Sequence, residues 1–220
     1  MNGRHLVLTG YDDNMRAVGS WSSTCLCSYA IRHGYSFEVV RTFLSGSHPS
    51  WQKLRIIEER LARHDAILWV DADVVVTNPA IDWTKIPETK DGLWLSRDWD
   101  AVDRPDYFSA GVMIVFSCSE SLDILKSAQE MTQWANTPLW DQCALQGVFN
   151  SDEKLRSHIH VLPRRMLNSV PAMIQKGAAE PWEKGDFLCH LTGIGNDQRM
   201  EAIGRFVWES LAYPVAERPC

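Results

Sequence analysis

Residues 67 to 79 read ILWVDADVVVTNP: four apolar residues, then Asp71, one small residue and Asp73, then a second apolar run closed by Asn78 and Pro79. Ile67, Leu68, Trp69 and Val70 form a continuous run of strand-favouring side chains, the pattern of a strand covered on both faces. Such a strand ends at the acids. An unpaired buried carboxylate is costly and two neighbouring ones repel, so the pair needs a cation or a hydrogen-bond network to persist. In an open α/β sheet, ligands bind outside the carboxyl ends of the strands, which is where these acids fall. Acidic residues also form turns, and the spacing alone leaves both readings open.

The chain has 220 residues, 45% of them hydrophobic, enough for one α/β domain with a full core, and a single domain over 1–220 is expected. The formal net charge of -6 and the lack of a long basic run argue against a nucleic-acid backbone as the main partner. The first apolar run, Leu6 to Leu8, is too short for a signal peptide or a membrane span, and no later run reaches membrane length. The six cysteines, Cys25, Cys27, Cys118, Cys143, Cys189 and Cys220, show no CxxC spacing for zinc and read as reduced thiols. A soluble, cytoplasmic chain is the expectation.

Along the chain, HLVLTG (5–10) reads as a first strand, followed by a helical stretch from about 16 to 33 that ends at Gly34. SFEVVRT is a second strand, and HPSWQKLRIIEERLARHD places Trp51, Leu54, Ile57 and Leu61 at helical spacing behind Pro49. With the 67–70 strand the order is β-α-β-α-β, which implies a parallel sheet with right-handed crossovers. After the acids the alternation loosens. Strands are expected at 92–96 and 107–116, helices at 119–135 and 139–149, short strands in HIHVLP and FLCHLTG, and a closing helix capped by Asn196 or Asp197. The stretch 171–186 reads as a long surface loop.

Four separated pieces, ILWVDADVVVTNP, YFSAGVMIVF, WDQCAL and CHLTG, occur in an order and with gaps that resemble the GT-A fold glycosyltransferases. The nearest likeness is to retaining galactosyl-, xylosyl- and glucosyltransferases with nucleotide-sugar donors, over about residues 5 to 195. The resemblance implies an α/β, Rossmann-like fold: a mostly parallel central sheet flanked by helices. It also implies a nucleoside-diphosphate sugar donor, expected to be a uridine diphosphate-sugar, and a glycan or other hydroxyl acceptor. By the same resemblance Asp71, Asp73 and His190 hold manganese, with magnesium as the alternative, on the donor diphosphate. A hard cation with oxygen and imidazole ligands suits the negative charge that develops on that leaving group.

The resemblance assigns Thr9, Gly10 and Tyr11 to the nucleoside pocket and counts Ala72 with the donor site. Lys53, 18 positions before the first acid, matches a basic residue that reaches the donor, although a lysine here could equally be a solvated helix-face residue. Gly193 gives the backbone close access to the phosphates. In YFSAGVMIVF, Ser109 stands where relatives carry an asparagine on the donor sugar, while Ala110 and Gly111 keep the small profile. Asp141 and Gln142 match an Asp-Gln element under the sugar, Asp141 steadying an oxocarbenium-like transition state and Gln142 near the anomeric carbon. Asp141 also reads as an ordinary helix-start residue. After CHLTG, where relatives often carry a lysine on the phosphates, this chain has Ile194, Gly195 and Asn196, which leaves either Lys176 or Lys184 to serve or the diphosphate with fewer contacts.

Retention is the expected outcome. An inverting enzyme would need a carboxylate base, for which Asp98, Asp100 and Asp103 are the candidates. Two other classes fit an Asp-x-Asp at a strand end. A haloacid dehalogenase-type phosphatase uses the first Asp as nucleophile, but on the first strand and with a hydroxyl residue soon after, where this chain has its third strand and valines at 74 to 76. A catalytically idle nucleotide-sugar binding module is the other.

Overall fold

The computed structural model describes residues 4–98, 104, 106–174 and 180–212. In chain order its elements are β1 (His5–Gly10), α1 (Arg16–His33), β2 (Ser36–Val40), α2 (Pro49–Leu61), β3 (Ala66–Val70) and β4 (Val74–Val76). They continue with β5 (Leu93–Arg97), β6 (Phe108–Phe116), α3 (Ser119–Glu130), α4 (Trp140–Ser151), α5 (Glu153–Arg156) and β7 (Ile159–Leu162). Last come α6 (Arg164–Leu167), β8 (Leu188–His190) and α7 (Asn196–Leu211).

The central sheet has the order β2-β1-β3-β6-β5-β7. β2, β1 and β3 are parallel, as the β-α-β-α-β pattern requires, and β5 and β7 are parallel too. β6 runs antiparallel to both neighbours, so it enters the sheet centre from the opposite end. A separate two-stranded ribbon pairs β4 with β8 in antiparallel fashion, with Val74 opposite His190.

β3 is buried along its whole length, as its unbroken apolar run predicts. Ile67 and Trp69 face a core shared with Leu54 and Ile57 of α2, Ile124 and Leu125 of α3 and Leu145 of α4. Ala66, Leu68 and Val70 face the other core, with Leu26 and Tyr29 of α1 and with Trp83. Full burial of one such leucine or isoleucine contributes about 1.5–3 kcal/mol of transfer free energy, so the two-sided cover fixes this strand and its end. A third cluster packs α7 on α1 and the ribbon through Phe206, Ile203, Val18, Val75 and Cys189.

Local signals place the helix ends. α1 stops at Gly34, whose φ of 72° is left-handed. α2 starts with Pro49 in its first turn and His48 as cap, the His48 ring accepting from Ser50 N. The cap of α7 differs from expectation: Gly195, not Asn196 or Asp197, precedes the helix, and its amide donates to Gln198 Oε1 at 3.2 Å. The Asn196 side chain instead reaches Asn14 O at 2.8 Å and is also engaged by Arg199. The 180–186 part of the 171–186 stretch is anchored: Trp182 donates to Thr77 Oγ1 and packs on Phe206, and Asp186 accepts from Arg165. The five described cysteines are free thiols. Among the described residues, no helix is long and apolar enough to cross a membrane.

Candidate active site

A cavity of about 610 Å³ opens at the carboxyl ends of β1 and β3, within the range of small-molecule sites. Its walls hold Gly10, Tyr11, Lys53, Asp71, Ala72 and Asp73, together with Ser109, Ala110, Gly111, Asp141, Gln142, His190 and Gly193. Thirteen of the fourteen residues that the resemblance matched to donor, metal and catalytic positions therefore converge there. The exception is Thr9, which is fully buried in β1 and is not part of the wall.

Lys53 is the hinge of one half of the site. It is only 1% exposed, not a solvated helix-face lysine, because the buried face of α2 turns it under the sheet edge. Its Nζ lies 2.8 Å from Asp141 Oδ2 and 3.0 Å from Asp71 Oδ1, and it donates to Ala110 O at 2.9 Å. Trp69 Nε1 donates to the same Asp71 oxygen at 2.7 Å. Burial works against the charge of Lys53, but Asp141 and Asp71 more than offset it and hold the ammonium above the usual lysine range. One cation thus serves two carboxylates. Burial is the main influence on Asp141 and pushes it up to about 6, although Lys53 pulls the other way.

The ribbon builds the other half. Leu191 N donates to Asp73 O at 2.9 Å, and His190 N donates to Ser169 O at 2.8 Å, which sets the imidazole beside the second acid. Asn168 donates its amide to Arg97 O, so its oxygen faces His190 Nδ1 at 2.7 Å and fixes the proton on that nitrogen. Nε2 is left facing Asp73 Oδ1 across 3.5 Å. Arg199 of α7 holds the other oxygen, Nη2 to Oδ2 at 3.0 Å. Burial opposes the charge of Asp73, yet His190 and Arg199 outweigh it and hold this carboxyl at about 2.

Gly111 is required where it stands, because a Cβ there would lie 2.5 Å from His190 Cε1. Its carbonyl also accepts from Asp71 N at 2.8 Å, so one residue of β6 touches both ends of the putting-together of acid and imidazole. Gly193, with φ of 74°, is in the left-handed region that glycine adopts freely. Gln142 ties β6 to Asp98 on the cavity wall: its oxygen accepts from Ala110 N at 3.2 Å and its amide donates to Asp98 Oδ2 at 2.7 Å. Ser109 Oγ accepts from Gly111 N at 3.3 Å. Tyr11 is packed against Gly19 and under the Arg41 guanidinium, 4.2 Å from the ring centroid, so it forms wall more than a free stacking face.

Asp98, one of the candidate bases, is at the cavity but already bonded to Gln142, whereas Asp100, Asp103 and Lys176 lie outside the described residues. Lys184 is not at the cavity; its Nζ is 3.6 Å from Glu209. The cation at the CHLTG side is Arg199, which the sequence reading passed over as part of an ordinary amphipathic helix. Asn168, and the stacked pair His48 and Trp140 at 3.6 Å on the cavity wall, were missed as well. Among the described residues, no three His, Cys, Asp or Glu side chains are gathered as an assembled metal centre; Asp71 is turned to Lys53 and Asp73 to Arg199.

The architecture has counterparts among known proteins. A family model described as the galactosyl transferase GMA12/MNN10 family matches residues 24–87, the segment that carries Lys53, Asp71 and Asp73. A glycosyltransferase involved in the glycosylation of the major capsid of PBCV-1 superposes with a TM-score of 0.71 at 16% identity, over 91% of this chain and 98% of that one. The galactosyltransferase LgtC, in complex with donor and acceptor sugar analogs, gives 0.64 at 16% identity over 97% of each chain. The glycosyltransferase GlyE of Streptococcus pneumoniae TIGR4 gives 0.63 at 14% identity, over 99% of this chain and 66% of that one. No curated protein matches by sequence. The fold is the GT-A fold of glycosyltransferases, and with the family match it supports a glycosyltransferase enzyme.

Proposed function

We propose that the chain moves a sugar from a uridine diphosphate-sugar to a glycan hydroxyl, with a divalent cation, manganese or magnesium, held by Asp71, Asp73 and His190. The observation that carries this reading is the imidazole of His190, oriented by Asn168 so that Nε2 faces Asp73 Oδ1 across 3.5 Å at the edge of the cavity. The donor set of two carboxylates and an imidazole fits a hard cation, and the second-sphere bond from Asn168 is of the kind that fixes a metal-binding tautomer. When bound, the cation supplies neutralisation of the charge that develops on the diphosphate leaving group.

The rest of the work falls to the chain. Gly193 lets backbone amides approach the phosphates, and Arg199 adds a guanidinium on that side. Ser109, Ala110 and Gly111 leave room for the sugar ring, and Gln142, clamped between Ala110 N and Asp98, presents a fixed amide to it. Asp141 places a buried carboxylate where positive charge grows on the sugar as the leaving group departs, with Lys53 holding it in place. Such pre-set groups need no reorganisation at the moment of reaction.

The test is a screen of nucleotide-sugars for release of the nucleoside diphosphate, with manganese and with chelator. Release from a uridine diphosphate-sugar that stops in chelator is the expected result. Phosphate release from a generic phosphomonoester would point to a phosphatase instead, and donor binding without turnover to a binding module.

A further inference from the structure

Arg199 reaches Asp73 from a helix that the sequence motifs do not include, and its whole guanidinium is engaged. Nε donates to Leu191 O at 3.0 Å, Nη1 to Asn196 Oδ1 at 3.0 Å, and Nη2 meets Asp73 Oδ2 at 3.0 Å. Both side chains are largely buried, 17% and 12% exposed, so the pair is weakly screened by water and salt. The same guanidinium lines the cavity beside Thr192 and Gly193. It therefore occupies one oxygen of a carboxylate that the proposed function gives to a divalent cation, and it repels any second positive charge brought there.

Resting on that reading of Asp73, we propose that Arg199 is a resident counter-cation that competes with the divalent cation for Asp73. Capture of the metal is thereby coupled to arrival of the donor diphosphate. An incoming diphosphate offers Arg199 other oxygens, in the bidentate geometry that guanidinium groups favour. Once Arg199 turns to them, Asp73 Oδ2 is released and the cation and the nucleotide bind together. Linkage makes the effect reciprocal: nucleotide tightens metal by the same factor as metal tightens nucleotide. Part of that factor comes from direct contact of metal with phosphate. The part due to Arg199 is what its removal takes away.

The test is a titration of manganese followed by the electron paramagnetic resonance of the free ion, with and without saturating uridine diphosphate. It is run on the wild-type chain, on the neutral variants Arg199→Gln and Arg199→Met, and on Arg199→Lys. The neutral variants that keep the wild-type melting temperature are expected to bind manganese about tenfold more tightly without nucleotide, within the usual range of coupling factors. They should also show a smaller gain on adding nucleotide, while Arg199→Lys stays near wild type. Simple structural damage at this position would loosen metal binding, not tighten it. Equal or weaker manganese binding by the neutral variants without nucleotide overturns the inference while leaving the metal site intact, provided the wild type binds manganese with uridine diphosphate. If the wild type binds uridine diphosphate but no manganese, the proposed metal dependence fails, and the competition with it.

Discussion

Lys53 and Asp141 form an ion pair with Nζ 2.8 Å from Oδ2, both side chains 5% exposed or less, and the same ammonium also holds Asp71 at 3.0 Å. An α2 residue and an α4 residue are thus joined beneath the strand end that carries the acids. The arrangement explains how two carboxylates persist at the mouth of a buried strand: a lysine 18 positions upstream serves the first, and Arg199 serves the second.

Removal of Lys53 tests that account. Lys53→Met keeps the alkyl stem but leaves Asp141 buried without its partner, the situation in which breaking a buried pair costs about 3–5 kcal/mol. Urea unfolding at pH 7 should show a loss of that size, shrinking as the pH is lowered and Asp141 takes up a proton. A stability equal to wild type at pH 7 would mean that the pair contributes nothing and that water reaches Asp141.

Asp141 is predicted to act in turnover more than in binding. Asp141→Asn keeps the shape and removes the charge, so the turnover number should fall at least roughly a hundredfold, the scale seen when a positioned electrostatic group is lost. Donor affinity should stay near normal. The pH dependence separates this role from a structural one. Burial raises Asp141 from 3.8 to about 6, so folding favours its protonated form. Its stabilising contribution is complete below pH 3.8 and is lost as the pH rises through about 6. Turnover that needs the carboxylate should rise over the same window. Wild type should show both trends, and the asparagine variant neither. An Asp141→Asn enzyme with full turnover would return Asp141 to the role of a helix-start residue.

His190 and Asn168 should behave as ligand and orienter. His190→Ala is expected to abolish the manganese dependence of donor binding while leaving a folded protein. Asn168→Ala should weaken manganese binding in the presence of uridine diphosphate by about 10- to 100-fold, the usual cost of losing an outer-sphere partner. Isothermal titration of both variants checks this. Donor binding unchanged in His190→Ala would make it a structural histidine.

How much of this was legible in the sequence depends on how local the signal is. The strand ending at Asp71 was readable because both faces of β3 are buried and leave an unbroken apolar run, and the α1 and α2 ends were readable from Gly34 and Pro49. The antiparallel entry of β6 was not, because a fully apolar strand carries no mark of direction. At the site, residues in ordered motifs could be placed by resemblance. Arg199 could not, since one arginine on an amphipathic helix looks like any solvated charge, and only the packing of α7 against the ribbon turns it to Asp73. Asn168 escaped for a similar reason: its role depends on Arg97 O, 71 positions away. Thr9 is at the expected strand end, but it is fully buried and is not part of the cavity wall.

Gly111 offers the sharpest steric test of the site. It lies in β6 with ordinary strand backbone, so alanine is conformationally acceptable there, and the only obstacle is space: a Cβ would stand 2.5 Å from His190 Cε1 and 3.1 Å from Nε2. The ring has to move, yet it is 5% exposed and held on its far nitrogen by Asn168. Overpacking of this kind costs about 1–3 kcal/mol, which Gly111→Ala should show in urea unfolding. The displaced imidazole can no longer present Nε2 opposite Asp73 Oδ1, so manganese-dependent donor binding should fall by at least about tenfold, approaching that of His190→Ala. Combining the two changes separates the causes. In Gly111→Ala/His190→Ala the obstructed ring is gone, so the double variant should regain most of the lost stability relative to Gly111→Ala without regaining metal dependence, a coupling of the size expected for residues in direct contact. Additive losses in stability would show that Gly111 and His190 act independently, and that the close approach of β6 to the imidazole does not hold in solution.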